Sequence, residues 1–111
     1  MVELPAGVVE EGEDPKIAAH RELLEETGYA FDSIEYVCEL FANPATSGNI
    51  TYTYLLRGGK KVQEQQLDHS EDIEVVEMTI EEAKIFLINN QIGQALHSAA
   101  LFYAFLKLGV L

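Results

Sequence analysis

Positive charge is scarce in this chain: its 111 residues carry seven Lys and Arg against nineteen Asp and Glu, for a formal net charge of -12 at pH 7. A surface of that sign is repelled by phosphate backbones and anionic headgroups. Nucleic acid and acidic membranes are therefore excluded as electrostatic partners, though a small nucleotide bridged by a cation is not. Cysteine is nearly absent. The single Cys38 rules out an internal disulfide, and its place in an apolar run reads as a small packed side chain rather than a nucleophile. Long apolar runs are missing too, because Gln94, His97, Ser98 and Lys107 interrupt the stretch rich in Ala, Leu and Phe near the C-terminus. A membrane-spanning helix needs about twenty nearly uninterrupted apolar residues. Met1 leads into Val2-Glu3-Leu4-Pro5 without a basic region or apolar core, so no signal peptide is read and the cytoplasm is the expected compartment. Repeats, linkers and low-complexity segments are lacking. With 48% hydrophobic residues, residues 1–111 are expected to form a single domain with one core.

The informative stretch runs from Gly7 to Tyr29, GVVEEGEDPKIAAHRELLEETGY. Asp14-Pro15 predicts a helix start, since Asp caps free N–H groups and Pro is tolerated in the first turn. Gly28 predicts its end, because glycine adopts the left-handed conformation that closes many helices. Within the helix, Ile17, Ala18, Arg21 and Leu24 share one side. At about 100° per residue, Glu22 and Glu26 lie about 40° apart and Glu22 and Glu25 about 60° apart, gathering the three on another side. Carboxylates so close repel, and like charges at i,i+4 destabilise a helix, so a cation is expected to offset them. Hard divalent ions take carboxylate oxygens, and Mg²⁺ commonly uses only one or two while sharing its shell with water and phosphate. Taken alone, an acidic helix face is usually just solvated; the flanking Gly7, Glu13, Arg21 and Gly28 reverse that reading here.

Read by spacing, the stretch is Gly7, five residues, Glu13, seven residues, then Arg21-Glu22-Leu23-Leu24-Glu25-Glu26-Thr27-Gly28-Tyr29. It resembles the Nudix box, the signature of hydrolases that cleave nucleoside diphosphates linked to another group. All seven fixed letters stand at the family spacing; chance agreement at one start point is on the order of 10⁻⁸ to 10⁻⁹ at average residue usage. Tyr29 departs from the aliphatic residue that is commoner there. The resemblance implies that Glu22 and Glu26 are the primary Mg²⁺ ligands, with Glu25 near a second or third ion and the backbone carbonyl of Ala6 as a further ligand. It also implies that Arg21 makes an ion pair orienting the glutamates, with Glu13 as a helper. Mn²⁺ suits the same oxygen donors. Glu3-Leu4-Pro5-Ala6-Gly7 further resembles the lead-in of ADP-ribose and other ADP-sugar pyrophosphatases of this family. Members normally carry several strands before this point, so the resemblance implies the latter part of such a domain.

Outside this stretch, Val2 to Leu4 can form only a very short strand, whereas Ile34 to Ala42 and Ile50 to Leu56 read as full strands. Tyr52 and Tyr54 share one face of the second, as packing or as a stacking surface for a base. Asn43 to Asn49 is a turn-rich loop; related ADP-sugar hydrolases have a proline-containing loop near substrate here, commonly with glycine where this chain has Ala45. Arg57-Gly58-Gly59-Lys60-Lys61 reads as a turn and matches no nucleotide-binding fingerprint. Gln63 to His69 reads as loop, and Ile73 to Met78 as a strand. In ADP-ribose pyrophosphatases an acidic loop before such a strand supplies a proposed catalytic base. Glu71 matches that position best, and His69 stands where a second acidic residue is often found; a histidine could itself accept a proton near neutral pH. Thr79-Ile80-Glu81-Glu82 predicts a capped helix to about Asn89, followed by a second helix from Ile92 to Leu108. His97 on that helix reads as structural.

The expectation is an α/β fold of α+β type, an α/β/α sandwich with a mixed sheet. An uncovered sheet edge or apolar face predicts a homodimer. The resemblance implies Mg²⁺-dependent hydrolysis of ADP-ribose or another nucleoside diphosphate sugar to AMP and a sugar phosphate, with Glu25, Arg21 and either Glu71 or His69 in the catalytic set. Two alternatives stand beside it: a Nudix enzyme for dinucleoside polyphosphates or oxidised nucleotides, and a catalytically silent module that binds nucleotide or oligomerises.

Overall fold

The computed structural model describes residues 2–43, 49–68 and 71–111. Among them the elements run α1 (Pro15–Thr27), β1 (Tyr29–Ala30), β2 (Ser33–Phe41), β3 (Ile50–Arg57), β4 (Lys60–Lys61), α2 (Ile80–Ile88) and α3 (Ala95–Leu108), an α+β composition as expected. The strands form two ladders, β1 with β4 and β2 with β3. The chain condenses into two compact units, one of Pro5–Glu35 and Leu56–Glu77, the other of Met1–Leu4, Tyr36–Leu55 and Met78–Leu111. Among the described residues no helix is long and apolar enough to cross a membrane.

The unit containing α1 is built on its two helix ends. The Asp14 carboxylate accepts the Lys16 N–H at 2.8 Å, Pro15 opens the first turn, and Gly28 closes the helix with φ 78° while its N–H reaches the Leu24 carbonyl at 2.8 Å. Ala18 is the side chain that α1 buries most deeply among its apolar residues, whereas Ile17, grouped with it by spacing, is 62% exposed. The α1 carbonyls left without helical partners are taken up by the segment after β4. Val62 and Gln63 donate to the Gly28 carbonyl, and Gln66 N–H donates to that of Glu25 at 2.8 Å. β4 itself pairs antiparallel with β1, Tyr29 opposite Lys61 and Ala30 opposite Lys60. Thus the basic turn at Arg57 to Lys61 is a strand connection whose last two residues join a ladder.

The other unit has its core on α3, where Ala100 and Phe105 are buried together with Ile92 just before the helix. Residues 2–4 are fastened to the approach to that helix. Val2 bridges Ile92 in parallel, Gly93 N–H donates to the Val2 carbonyl at 2.9 Å, and Leu4 N–H donates to Nδ1 of buried His97 at 3.2 Å. This bond from a backbone N–H fixes the orientation of the buried ring, so His97 has a structural part. Because Ile92 and Gly93 are committed to Val2, α3 begins at Ala95 rather than at Ile92. The capping box of α2 forms as expected, with Thr79 and Glu82 exchanging side-chain and backbone bonds at 3.1 and 3.2 Å. On β2 and β3, Tyr36 and Tyr54 meet edge-on at 6.1 Å between centroids. Partial desolvation of this half-exposed ring, helped by the charge of Glu39, holds the Tyr36 hydroxyl proton above the ordinary tyrosine range.

One expected strand does not form among the described residues. Ile73 to Met78 is extended in sequence character but joins no ladder with them, and the Ile73 carbonyl accepts from the side chain of Gln65 at 3.1 Å.

Candidate functional site

The glutamates of α1 and the turn from Pro5 to Gly7 lie in one unit, and the turn is shaped around them. Ala6 donates its N–H to Glu26 Oε2 at 3.3 Å, so this turn touches the glutamate through its amide. At Gly7 the absent Cβ matters directly: one placed there would lie 2.0 Å from Glu22 Cδ and 2.3 Å from its Oε2. The carboxylate of Glu22 occupies the space that any side chain at residue 7 would take.

Arg21 organises the rest. Its Nε and Nη2 grip Glu13 at 2.9 and 3.0 Å in a two-point ion pair, Nη1 reaches Glu22 at 3.0 Å and Glu25 at 3.5 Å, and Nη2 also donates to the Val8 carbonyl at 3.2 Å. Such fork-shaped pairs fix geometry as well as charge. The hydrogen bond from Arg21 is the largest reason the Glu13 carboxyl sits at about 2, below its ordinary 4.5, and the same bond holds the guanidinium proton more tightly than usual. A carboxyl lowered on folding contributes stability that is fully present above pH 4.5 and is lost as pH falls toward 2. Glu13→Gln is therefore expected to melt below wild type at neutral pH, with the gap closing from pH 4.5 downward and vanishing near pH 2. Circular dichroism melts across that range would refute this if the gap stayed constant.

Glu26 stands apart from its neighbours. It is only 8% exposed, and burial is the main force that pushes its carboxyl up to about 7. The Ala6 N–H opposes that rise, while repulsion from Glu22, Glu71 and Glu25 adds to it. Glu71 is thus within electrostatic reach of Glu26. Its backbone and side chain both bond to Asp68, the N–H donating to the Asp68 carbonyl at 2.9 Å and Oε1 accepting the Asp68 N–H at 2.8 Å. His69, the other candidate base, lies outside the described residues, as do residues 44–48 of the loop that carries Ala45.

Among the described residues no three carboxylate, imidazole or thiol groups converge tightly enough to enclose an ion by themselves. The donor set nevertheless suits a hard divalent cation. A carboxylate pushed toward neutrality by burial first and by three other carboxylates second is stabilised by a positive charge beside it, and Mg²⁺ asks for only one or two protein carboxylates. Glu22 and Glu26 would hold such an ion.

Gln65 belongs to this arrangement, although its polar surroundings in the sequence gave no sign of it. Its Nε2 donates to the Glu26 carbonyl at 2.7 Å and to the Ile73 carbonyl at 3.1 Å. Only its position within a run of four Gln and Glu residues after a strand could have marked it as a helix-capping segment.

Comparison with known proteins adds the following. A family model described as the NUDIX domain matches residues 1–99. The methanol dehydrogenase activator of Bacillus methanolicus is 37% identical over 93 residues, covering 83% of this chain and 50% of that protein. The ADP-ribose pyrophosphatase of Bacillus subtilis (strain 168) is 33% identical over 108 residues, covering 96% of this chain and 58% of that protein. The GDP-mannose pyrophosphatase of Cronobacter sakazakii is 29% identical over 85 residues, covering 75% of this chain and 44% of that protein. The chain therefore spans about half the length of these curated relatives.

Proposed function

Since the chain belongs to the NUDIX domain family, we propose that it hydrolyses a nucleoside diphosphate linked to another moiety, ADP-ribose or a related ADP-sugar first among them, with Mg²⁺ or Mn²⁺ as cofactor. The observation that carries this reading is the buried Glu26 carboxylate, anchored by the Ala6 N–H and faced by Glu22, Glu25 and Glu71. A divalent ion bound there would neutralise the diphosphate and polarise the attacking water. Arg21 holds Glu22 and Glu25 in place, and Glu13 holds Arg21. Glu71, or His69, takes the proton of the water. The water oxygen bonds to one phosphorus while the bridging P–O bond breaks, and the products are AMP and a sugar phosphate. Substrate choice within ADP-sugars is supported by the Glu3-to-Gly7 lead-in and by likeness to a protein named for ADP-ribose.

The test is product release from a panel of ADP-ribose, other ADP-sugars, GDP-mannose, dinucleoside polyphosphates and nucleoside triphosphates, with Mg²⁺ or Mn²⁺ and with chelator. Turnover is expected to favour ADP-sugars and to stop on chelation. A folded protein that cleaves none of them would leave only a nucleotide-binding or assembly role.

A further inference from the structure

We propose that Gln65 is a positioning residue: its side-chain amide ties the last turn of α1, at Glu26, to the segment that carries Glu71, and so sets where the proton acceptor stands relative to the metal-holding glutamates. This rests on the reading of Glu71 as the base. Both Gln65 contacts run to backbone carbonyls, which only accept, so the group between them must be the NH₂, with one hydrogen for each. One carbonyl belongs to Glu26, in the end of the helix where carbonyls lack helical partners. The other belongs to Ile73, two residues beyond Glu71, in a stretch that joins no ladder among the described residues. Among the described residues no strand pairs with that carbonyl, and the amide bridge supplies the register that a sheet would otherwise give. Glu71, two residues away along the chain, is held in turn by its paired bonds with Asp68, which fix its carboxylate. Adjacent backbone bonds from Val62, Gln63 and Gln66 hold the Gln65 segment against α1, so the amide starts from a fixed base.

The bridge makes a different demand from ordinary packing. It acts at Glu71 and should leave ion and substrate binding alone. Gln65→Met keeps the length and loses both donors; Gln65→Asn keeps the amide but is too short to span both carbonyls. Each is expected to lower kcat by about tenfold or more, because ångström-scale misplacement of a reacting group has effects of that size. KM and the Mg²⁺ concentration for half-activation should stay within about twofold. In a Glu71→Gln background the same substitutions should change kcat by less than about twofold, since residues acting through one another are not additive. Equal losses in both backgrounds, or a Glu71→Gln variant as active as wild type, would overturn the proposal.

Amide hydrogen exchange on the same proteins needs no substrate. The Glu71 amide, whose N–H donates to the Asp68 carbonyl, is expected to exchange about tenfold faster in either Gln65 variant, with α2 unchanged. Unaltered exchange at Glu71 would show that the bridge positions nothing. A wild-type protein inert to the whole substrate panel would remove the hydrolase reading while the exchange result still decided the bridge.

Discussion

Glu26→Gln is expected to lose at least about a hundredfold in turnover, as a lost metal ligand should exceed the cost of a lost supporting partner, and yet to be the more stable protein when divalent cations are removed. The two effects have one cause. The wild-type carboxylate is buried beside Glu22, Glu25 and Glu71, and without a cation it is uncompensated. The folded state binds its proton up to about pH 7 and the unfolded state only to about 4.5, so between those values folding takes up a proton. Wild-type stability in chelator should therefore fall as pH rises from 4.5 to 7 and level off above. Glutamine cannot ionise, and its carbonyl oxygen can still accept from Ala6. At pH 8 in chelator the variant should thus exceed wild type by about 1–2 kcal/mol, less than the whole shift would give once relaxation is allowed for. Excess Mg²⁺ should reverse the order, because a ligand held by the folded state alone stabilises it by mass action. Denaturant titrations at pH 5 and pH 8, with chelator and with Mg²⁺, read all of this. Turnover equal to wild type would remove Glu26 from the site, and a Gln variant less stable in chelator would remove the electrostatic argument.

Much of this site was legible in the letters because its parts are local. Asp14, Pro15 and Gly28 announce α1 by caps that act within a few residues, and the helical period alone gathers Glu22, Glu25 and Glu26. The reach of Arg21 back to Glu13 spans two turns of chain and followed from the family spacing. What could not be read was whatever depended on the chain returning from a distance. Ile73 to Met78 has the composition of a strand, but strand formation needs a neighbour, and among the described residues the stretch meets side chains instead, Gln65 at the Ile73 carbonyl and Tyr29 at the Glu77 carboxylate. Ile17 shares a helical side with Ala18 yet lies mostly in solvent, because periodicity defines a stripe without saying how wide a cover it receives. The start of α3 was misplaced by three residues for a similar reason: Ile92 suits a helix, and only the arrival of Val2 gives it another role.

Gly28→Ala should cause the largest loss of stability of any single methyl addition to the unit that holds the glutamates. Two costs combine at this position. The residue sits at φ 78°, where a Cβ costs on the order of 1–2 kcal/mol. That Cβ would also lie 2.1 Å from the backbone carbonyl oxygen of Gln63, which is not a flexible side-chain tip that can swing away. Relief requires the segment after β4 to move off the helix end, which breaks the bonds from Val62 and Gln63 to the Gly28 carbonyl and strains those from Gln65 and Gln66 to Glu26 and Glu25. The sum is on the order of 3–5 kcal/mol, a large part of the stability of a chain this size, and corresponds to a Tm lower by roughly 10–20 °C. Gly109→Ala supplies the internal control. It has nearly the same φ, 73°, at the end of α3, and nothing within 4 Å of the added Cβ, so it should lose only the conformational part, about 1–2 kcal/mol. The difference between the two variants measures how tightly the 62–66 segment is held against α1. If both lost the same amount, that segment would yield at no cost, and the grip of Gln65 on Glu26 and Ile73 would be too weak to hold Glu71 in register.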